Sequence, residues 1–162
     1  MSKAFTKEDS GDESPVVAPR APLPPGVPNY VTPRGLELLR AEKRTLEAAR
    51  VALRDAPDSS ARLAGLAQRL FELEQRLGSA ECVVSVAEAS RVIRFGSEVT
   101  LQDELGREQR YQIVGVDEAE PGAGKIAFLS PLGRALLGAE VGDRVRLERP
   151  GSVRELEVLK IE

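Results

Sequence analysis

A row of leucines between residues 63 and 77 is the sequence feature that most constrains the fold. Its members are separated alternately by three and four residues: Leu63, Leu66, Leu70, Leu73 and Leu77. This spacing places them along one side of an α-helix, and so narrow a seam is typical of a helix that packs on a partner helix. The preceding segment supplies the partner, because Leu39, Leu46 and Leu53 recur every seven residues. We therefore predict two packed helices within residues 32–80.

The residues between and before these helices predict where each begins. Pro57 cannot continue a helix, so the first helix must end before it. Asp58 or Ser59 can cap the second helix, since both are good N-cap residues. Thr32 followed by Pro33 is a favourable start for the first helix. The prediction is an antiparallel helical hairpin with its bend near Pro57.

The rest of the chain changes to the alternating pattern of β-strands. Five short strands and one short helix are predicted, and together they indicate a small α+β domain in residues 93–162. Pro150-Gly151 is a strong turn signal between the last two strands. The predicted strands are those around Val99 and Leu101 and in 111–116, 125–130, 143–148 and 154–161, and the predicted helix is 131–137.

The first 31 residues have a different composition. They begin with an acidic, polar stretch, and seven of the eleven prolines lie between Pro15 and Pro33. Such a segment has little apolar surface and favours extended conformations. We predict a disordered tail over residues 1–31, followed by the hairpin in 32–80, a linker in 81–92 and the sheet domain in 93–162.

The residue inventory excludes several classes of chemistry. The chain has no histidine and one cysteine, so histidine-based catalysis and a cysteine or histidine zinc site are excluded. A net charge of −3 argues against a general nucleic-acid-binding protein. No run of about 18 apolar residues and no signal peptide are visible. We expect a cytoplasmic protein with no membrane partner.

The first helix also carries a row of basic residues beside its leucines. A rotation of about 100° per residue places them within an arc of about 120°. Two interpretations remain open: a solvated face, on which Glu47 reaches neighbouring cations, or a surface that contacts the phosphates of RNA or DNA. We call this set the basic ridge; it consists of Arg40, Lys43, Arg44, Arg50 and Arg54.

Several short motifs, taken in order, resemble one known family. They resemble the C-terminal domain of the bacterial Gre transcript-cleavage factors, GreA and GreB. Thr32-Pro33-Arg34-Gly35 resembles the start of the N-terminal hairpin of that family, so the resemblance covers about residues 31–162. The C-terminal motifs are Arg94-Phe95-Gly96-Ser97-Glu98-Val99-Thr100-Leu101, Tyr111-Gln-Ile-Val-Gly115, Ser130-Pro131-Leu132-Gly133-Arg134, Val141-Gly142-Asp143 and Pro150-Gly151.

The resemblance implies an accessory factor of bacterial RNA polymerase that is not itself an enzyme. An FKBP-like C-terminal domain docks on the rim of the secondary channel, and a coiled-coil hairpin enters the channel. Alternatively, Ser130 and Pro131 serve only to cap a helix that buries Leu132 and Leu136. The residues that the resemblance assigns to docking are Ser130, Pro131, Leu132 and Arg134, with Asp117 and Glu118 as a second contact.

The hairpin tip departs from the family pattern. Cleavage factors carry two acidic residues three positions apart, which help to hold a magnesium ion of the polymerase. Here the nearest equivalents are Asp55 and Asp58, with Pro57 between them, and each arm is shorter by about ten residues, or about 15 Å. Magnesium ligands must lie within about 2.1 Å of the ion. We therefore expect no catalytic or metal-ligating residue and no cofactor, and we assign Asp55 and Asp58 to capping and turn formation.

Three functional hypotheses follow from these observations. The leading hypothesis is a monomeric regulator that occupies the secondary-channel rim without efficient cleavage. The second is an active cleavage factor in which Asp55 and Asp58 act on the polymerase Mg²⁺. The third is an interaction module unrelated to the polymerase, which uses the leucine seam or the proline-rich tail and forms a dimer if the seam pairs between chains.

Overall fold

The computed structural model describes residues 20–85 and 91–162. The N-terminal part contains strand β1 (Asn29–Val31), helix α1 (Pro33–Leu53), helix α2 (Ser60–Gly78) and strand β2 (Ala80–Cys82). The C-terminal part contains β3 (Glu98–Asp103), β4 (Glu108–Val114), β5 (Lys125–Ala127), α3 (Pro131–Leu136), β6 (Arg144–Arg149) and β7 (Ser152–Ile161). The predicted α+β composition is confirmed.

Helix α1 begins where the sequence indicates. Thr32 has extended backbone geometry, and its side-chain oxygen accepts a hydrogen bond from the Gly35 amide at 2.9 Å. Pro33 occupies the first helical position, where its missing N–H costs nothing. Helix α2 ends at Gly78. The bounds of both helices lie within the predicted segment 32–80.

Leucine packing between the two helices forms the smaller of the two cores. Leu39 and Leu46 from α1 and Leu70 and Leu73 from α2 are buried together, with Val31 of β1 at the base of the helices. The leucine seam therefore packs against a helix of the same chain.

The tip between the helices differs from the sequence prediction in one respect. Ser59 occupies the N-cap position of α2, but its side chain makes no capping hydrogen bond. The predicted side-chain cap is therefore wrong. Asp58 instead adopts a positive φ of 56°, a left-handed conformation that aspartate tolerates better than most residues because its short polar side chain can bond locally. Turn formation by Asp58 is confirmed.

Replacing Asp58 with glycine is expected to stabilise the protein. Glycine has no Cβ to clash at positive φ, so the change should raise the free energy of unfolding by about 0.5–1 kcal/mol. Asp58→Ala is the matched control and should not raise it, because alanine keeps the Cβ that crowds the backbone at positive φ. Urea unfolding of the two variants measures both values. A glycine variant that is less stable than the parent would contradict the prediction.

The C-terminal part is a five-stranded sheet in the order β5-β4-β3-β7-β6. Neighbouring strands are antiparallel except β4 and β5, which are parallel. The β3–β7 register shifts between Thr100 and Leu101, at a β-bulge. Helix α3 packs beside β5 and β6, and its Leu136 is fully buried in the core. Fully or almost fully buried core members from the strands include Val99, Leu101, Ile113, Val114 and Val158.

Residues 20–31 correct the prediction of a disordered tail. Strand β1 pairs in parallel with β2, and Tyr30 lies opposite Glu81. The Tyr30 ring packs against Phe95 and Phe128 of the C-terminal part, with ring centroids 5.7 Å apart in each case. Aromatic burial of this kind outweighs the low apolar content of the segment. Residues 1–19, and residues 86–90 of the predicted linker, lie outside the described residues.

Among the described helices, none combines the length and the apolar character that a membrane crossing requires.

Candidate functional site

Helix α3 presents the first group of candidate residues. The Ser130 side chain caps the helix by accepting a hydrogen bond from the Gly133 amide at 3.0 Å. Gly133 allows the helix to lie directly on the preceding strand, because a Cβ there would come within 2.3 Å of the Ala127 carbonyl oxygen. Pro131 and Arg134 are exposed. The cap therefore holds one proline and one arginine on the surface of the sheet domain.

The inner side of α3 serves the core. Leu136 is fully buried, and Leu132 is half-buried against the same core. The alternative interpretation of Ser130 and Leu136, as cap and core residues, is thus confirmed by the geometry. These structural roles of Ser130 and Leu136 are compatible with docking through Arg134, because the Arg134 side chain has no ion-pair partner within residues 20–85 and 91–162. Leu137 and Val141, which follow the helix, add exposed apolar surface.

Asp117 lies in a buried ionic cluster between the two parts of the chain. One carboxylate oxygen accepts a hydrogen bond from Arg20, which also bonds Glu42 of α1 at 2.6 Å. The other oxygen lies 3.2 Å from Nε of Arg76, close enough for an ion pair but without hydrogen-bond alignment. Arg76 also donates to the backbone oxygen of Ala21. We call these residues the clasp: Arg20, Glu42, Arg76 and Asp117.

The ion pair between Arg76 and Asp117 of the clasp is shielded from solvent. The side chains of Arg76 and Asp117 are 6% and 9% exposed. Burial lowers the pKa of the Arg20 guanidinium, but the hydrogen bonds to Glu42 and Asp117 raise this pKa by more, so the net shift is upward. Arg20 therefore stays charged, and Asp117 meets two cations at the junction of α1, α2 and the sheet domain.

Glu118 makes a second junction beside the clasp. Its carboxylate accepts a hydrogen bond from the Thr32 hydroxyl. It also forms an ion pair with the Lys125 ammonium group at 2.8 Å. The negative charge lies beside the first turn of α1, where the helix dipole favours it. Gly35 leaves room for this contact, because a Cβ would lie 2.8 Å from the Glu118 carboxylate and would displace it. Glu118 therefore ties the start of α1 to β5.

These contacts correct one part of the predicted docking surface. Asp117 and Glu118 were assigned to a second polymerase contact, but their side chains are only 9% and 2% exposed. Both carboxylates are occupied inside the molecule, so a contact between them and a partner does not fit this structure. The proximity of Glu118 to Thr32 and Gly35 was not predicted, although both of those residues stood out as helix-start residues.

The basic ridge of α1 divides into two halves. Arg40 pairs with Glu37 at 2.8 Å, and Lys43 pairs with Glu74 of α2 at 3.0 Å. The contact with Glu74 raises the pKa of Lys43 above its ordinary value. The solvated-face interpretation fits this half. The half nearer the tip is exposed and has no ion-pair partner among the described residues; it consists of Arg44, Arg50 and Arg54.

The two acidic residues at the tip are exposed. Neither Asp55 nor Asp58 makes a side-chain hydrogen bond or ion pair with any part of the chain that the structure describes. The capping role expected for them is therefore wrong. Within residues 20–85 and 91–162 no three acidic or cysteine side chains are grouped as a metal site. The tip offers two free carboxylates and no site that is complete by itself.

Comparison with known proteins identifies the C-terminal domain. Residues 88–162 match the family described as transcription elongation factor GreA/GreB, C-terminal. Transcription elongation factor GreA of Caulobacter vibrioides is 38% identical over 95 residues, which cover 58% of this chain and 60% of that protein. GreA of Caulobacter sp. strain K31 is 42% identical over 96 residues, with the same coverage. The chain thus spans about 60% of the length of the curated relatives it matches.

Solved structures give a further comparison. The GreA factor homolog 1 (Gfh1) of Thermus thermophilus aligns at 29% identity with a TM-score of 0.41, over 84% of this chain and 99% of that one. Gfh1 of Thermus aquaticus aligns at 26% identity with a TM-score of 0.41, over 83% and 98%. The family match and the curated relatives place residues 88–162 of this chain in the C-terminal family of the GreA/GreB transcription elongation factors.

Proposed function

We propose that this chain regulates transcription by binding bacterial RNA polymerase at the rim of its secondary channel, without efficient transcript cleavage. The observation that supports docking is a capped α3 that exposes Pro131 and Arg134, the latter with no ion-pair partner in the described part of the chain. In this proposal the sheet domain is FKBP-like and the two helices form a short coiled coil. The chain acts as a cytoplasmic monomer, because its leucine seam is already buried internally.

The length of the hairpin supports the second half of the proposal. Helix α1 has 21 residues and α2 has 19, so the arms extend for only about 30 Å at 1.5 Å per residue. A carboxylate takes part in a magnesium site only within about 2.1 Å of the ion. An arm that is about 15 Å shorter than the family pattern cannot bring Asp55 and Asp58 to the polymerase metal from the same docking position.

Charge reversal at Arg134 tests the docking surface. Arg134→Glu is expected to weaken binding to the cognate core polymerase about tenfold or more, a cost of about 1.4 kcal/mol per factor of ten. The physical reason is that an exposed cation on the docking face becomes a repelling anion. Fluorescence anisotropy of labelled protein measures the dissociation constant. The matched control is Arg154→Glu, an exposed arginine near the β6–β7 turn, which should bind like the parent.

Equal affinity of the Arg134→Glu variant and the parent would rule out docking through α3. Weakening by both charge reversals to the same extent would show only a general dependence on net charge. Circular dichroism of each variant confirms that the fold is retained before binding is compared.

The second candidate, an active cleavage factor, is favoured by one observation: the carboxylates of Asp55 and Asp58 are exposed and have no side-chain partner in the described ranges. RNA cleavage in a backtracked elongation complex with the cognate polymerase separates the two candidates. The leading proposal predicts no shortening of the transcript above the intrinsic rate of the polymerase. Stimulated cleavage that disappears in an Asp55→Ala, Asp58→Ala double variant would establish the second candidate and overturn the length argument.

A further inference from the structure

One face of α2 carries arginines that the proposed function does not use. Arg62, Arg69 and Arg76 are spaced seven residues apart, so they lie within about 40° of one another around the helix axis. Arg76, at the base of the hairpin, forms an ion pair with Asp117 and donates a hydrogen bond to the backbone oxygen of Ala21. Arg69 and Arg62 follow toward the tip, about 10 Å and 21 Å away. Neither has a side-chain partner among the described residues.

The first described residues of the chain, Arg20 and Ala21, lie beside this face of α2. Arg20 and Ala21 contact the clasp beside Arg76. A groove of about 360 Å³ opens at the same place, and Pro22, Leu23 and Phe71 contribute its apolar surface. Phe71 is 58% exposed there. Residues that precede Arg20 therefore start at the lower end of the arginine row.

The segment that precedes Arg20 has the opposite charge. Residues 8–13 read Glu-Asp-Ser-Gly-Asp-Glu and carry four carboxylates and no cation. Seven residues separate Arg20 from Glu13 and twelve separate it from Glu8, which corresponds to at most about 25 Å and 43 Å of extended chain. Arg69 and Arg62 both lie within that reach. The acidic side chain already on this face, Glu72, accepts a hydrogen bond from Gln68.

We propose that the acidic segment Glu8–Glu13 binds across Arg69 and Arg62 and covers this face of α2. Tethering makes the contact intramolecular, with an effective concentration in the millimolar range that offsets the weakness of single exposed ion pairs. The tip arginines of the basic ridge remain open on α1. The segment thereby selects which side of the hairpin is available to a polyanion or to a channel wall.

Paramagnetic relaxation in the full chain tests the contact directly. The only cysteine, Cys82, is exposed in β2, so Cys82→Ser combined with Ser10→Cys places a nitroxide label inside the acidic segment. We expect the backbone amide signals of residues 61–70 to be broadened at low salt. The broadening should disappear in about 1 M salt, where the Debye length is about 3 Å. A diamagnetic label supplies the reference spectrum and confirms the fold.

Charge-neutral variants identify the partners. The contact should be lost in Arg62→Gln, Arg69→Gln and equally in the segment variant Glu8→Gln, Asp9→Asn, Asp12→Asn, Glu13→Gln. The matched control, Arg44→Gln, Arg50→Gln, removes two arginines of α1 that have no ion-pair partner among the described residues, and it should leave the broadening unchanged. Broadening confined to α1 or α3, or none at all, would overturn the proposal. The result does not depend on polymerase, so it stands apart from the docking test.

Discussion

Asp117→Ala is expected to lower the free energy of unfolding by about 3 kcal/mol or more. Asp117 is the shared anion of the clasp, and its removal leaves Arg76 buried at 6% exposure without a counter-charge. Removing one partner of a buried pair typically costs about 3–5 kcal/mol, because the remaining charge stays desolvated. Arg20 loses one of its two carboxylate partners at the same time. Urea unfolding followed by circular dichroism measures the loss.

The same variant should also change how the protein unfolds. Asp117 belongs to the sheet domain, whereas Arg76 and Glu42 belong to the hairpin. Without Asp117, the helical circular dichroism signal should be lost at lower urea than the fluorescence of Tyr111 in β4, measured in a Tyr30→Phe background because Tyr30 belongs to β1. A single coincident transition with unchanged midpoint would show that the clasp does not couple the two parts.

Two further variants separate the charge effect from lost packing. Arg20→Gln keeps the Asp117–Arg76 pair, and Arg20 is partly exposed, so its cost should stay near 1 kcal/mol. Asp117→Leu combined with Arg76→Leu removes both buried charges, and this double change should recover much of the stability lost by Asp117→Ala. Additive losses in the double variant would contradict a direct interaction between the two residues.

Elements that depend on local patterns could be predicted from the sequence. The heptad leucines of α1 and the alternating residues of β3 repeat within one element, so periodicity alone locates them. Thr32 and Pro33 marked the start of α1, because the capping hydrogen bond to Gly35 spans only three residues. Each of these signals comes from neighbours in the chain, which a single sequence displays directly.

The clasp could not be predicted in this way. Arg20 and Asp117 are 97 residues apart in sequence, and nothing near either residue indicates its partner. The chain has 23 lysines and arginines and 26 acidic residues, so charge alone allows many alternative pairs. Burial of Asp117 depends on how the sheet domain meets the hairpin. The resemblance to the Gre factors, which assigned Asp117 to docking, contains no information about this burial.

The segment before α1 was misjudged for a related reason. Proline content and low apolar content favoured disorder, but Tyr30 and Val31 carry the aromatic and β-branched side chains that favour strands. Their burial requires Phe95, Phe128 and β2, which are distant in sequence. Gly115 gives a weak signal for this approach, because a Cβ there would lie 2.5 Å from the Tyr30 carbonyl oxygen.

Leu73→Ala is expected to lower the free energy of unfolding by about 3 kcal/mol. Leu73 is fully buried, and it packs with Leu39, Leu46 and Leu70 in the small core between α1 and α2. Truncating a buried leucine costs about 2–5 kcal/mol, because the transfer energy is lost and a cavity remains. Among the described residues this cluster has five buried members and four partly buried neighbours, so few side chains could move to fill the space. Circular dichroism during urea unfolding reports the loss.

Phe71→Ala is the matched control on the same helix. Phe71 is larger than Leu73 but 58% exposed, so its removal should change the free energy of unfolding by only about 0.5 kcal/mol. If the two substitutions lower the free energy of unfolding equally, the loss would depend on the size of the removed side chain and not on its burial between the helices. A large loss for Leu73 and a small one for Phe71 would place the stability of the hairpin in its interhelical core. Together with an intact Asp117, that core is what would keep the exposed arginines of α1 at a constant position relative to α3.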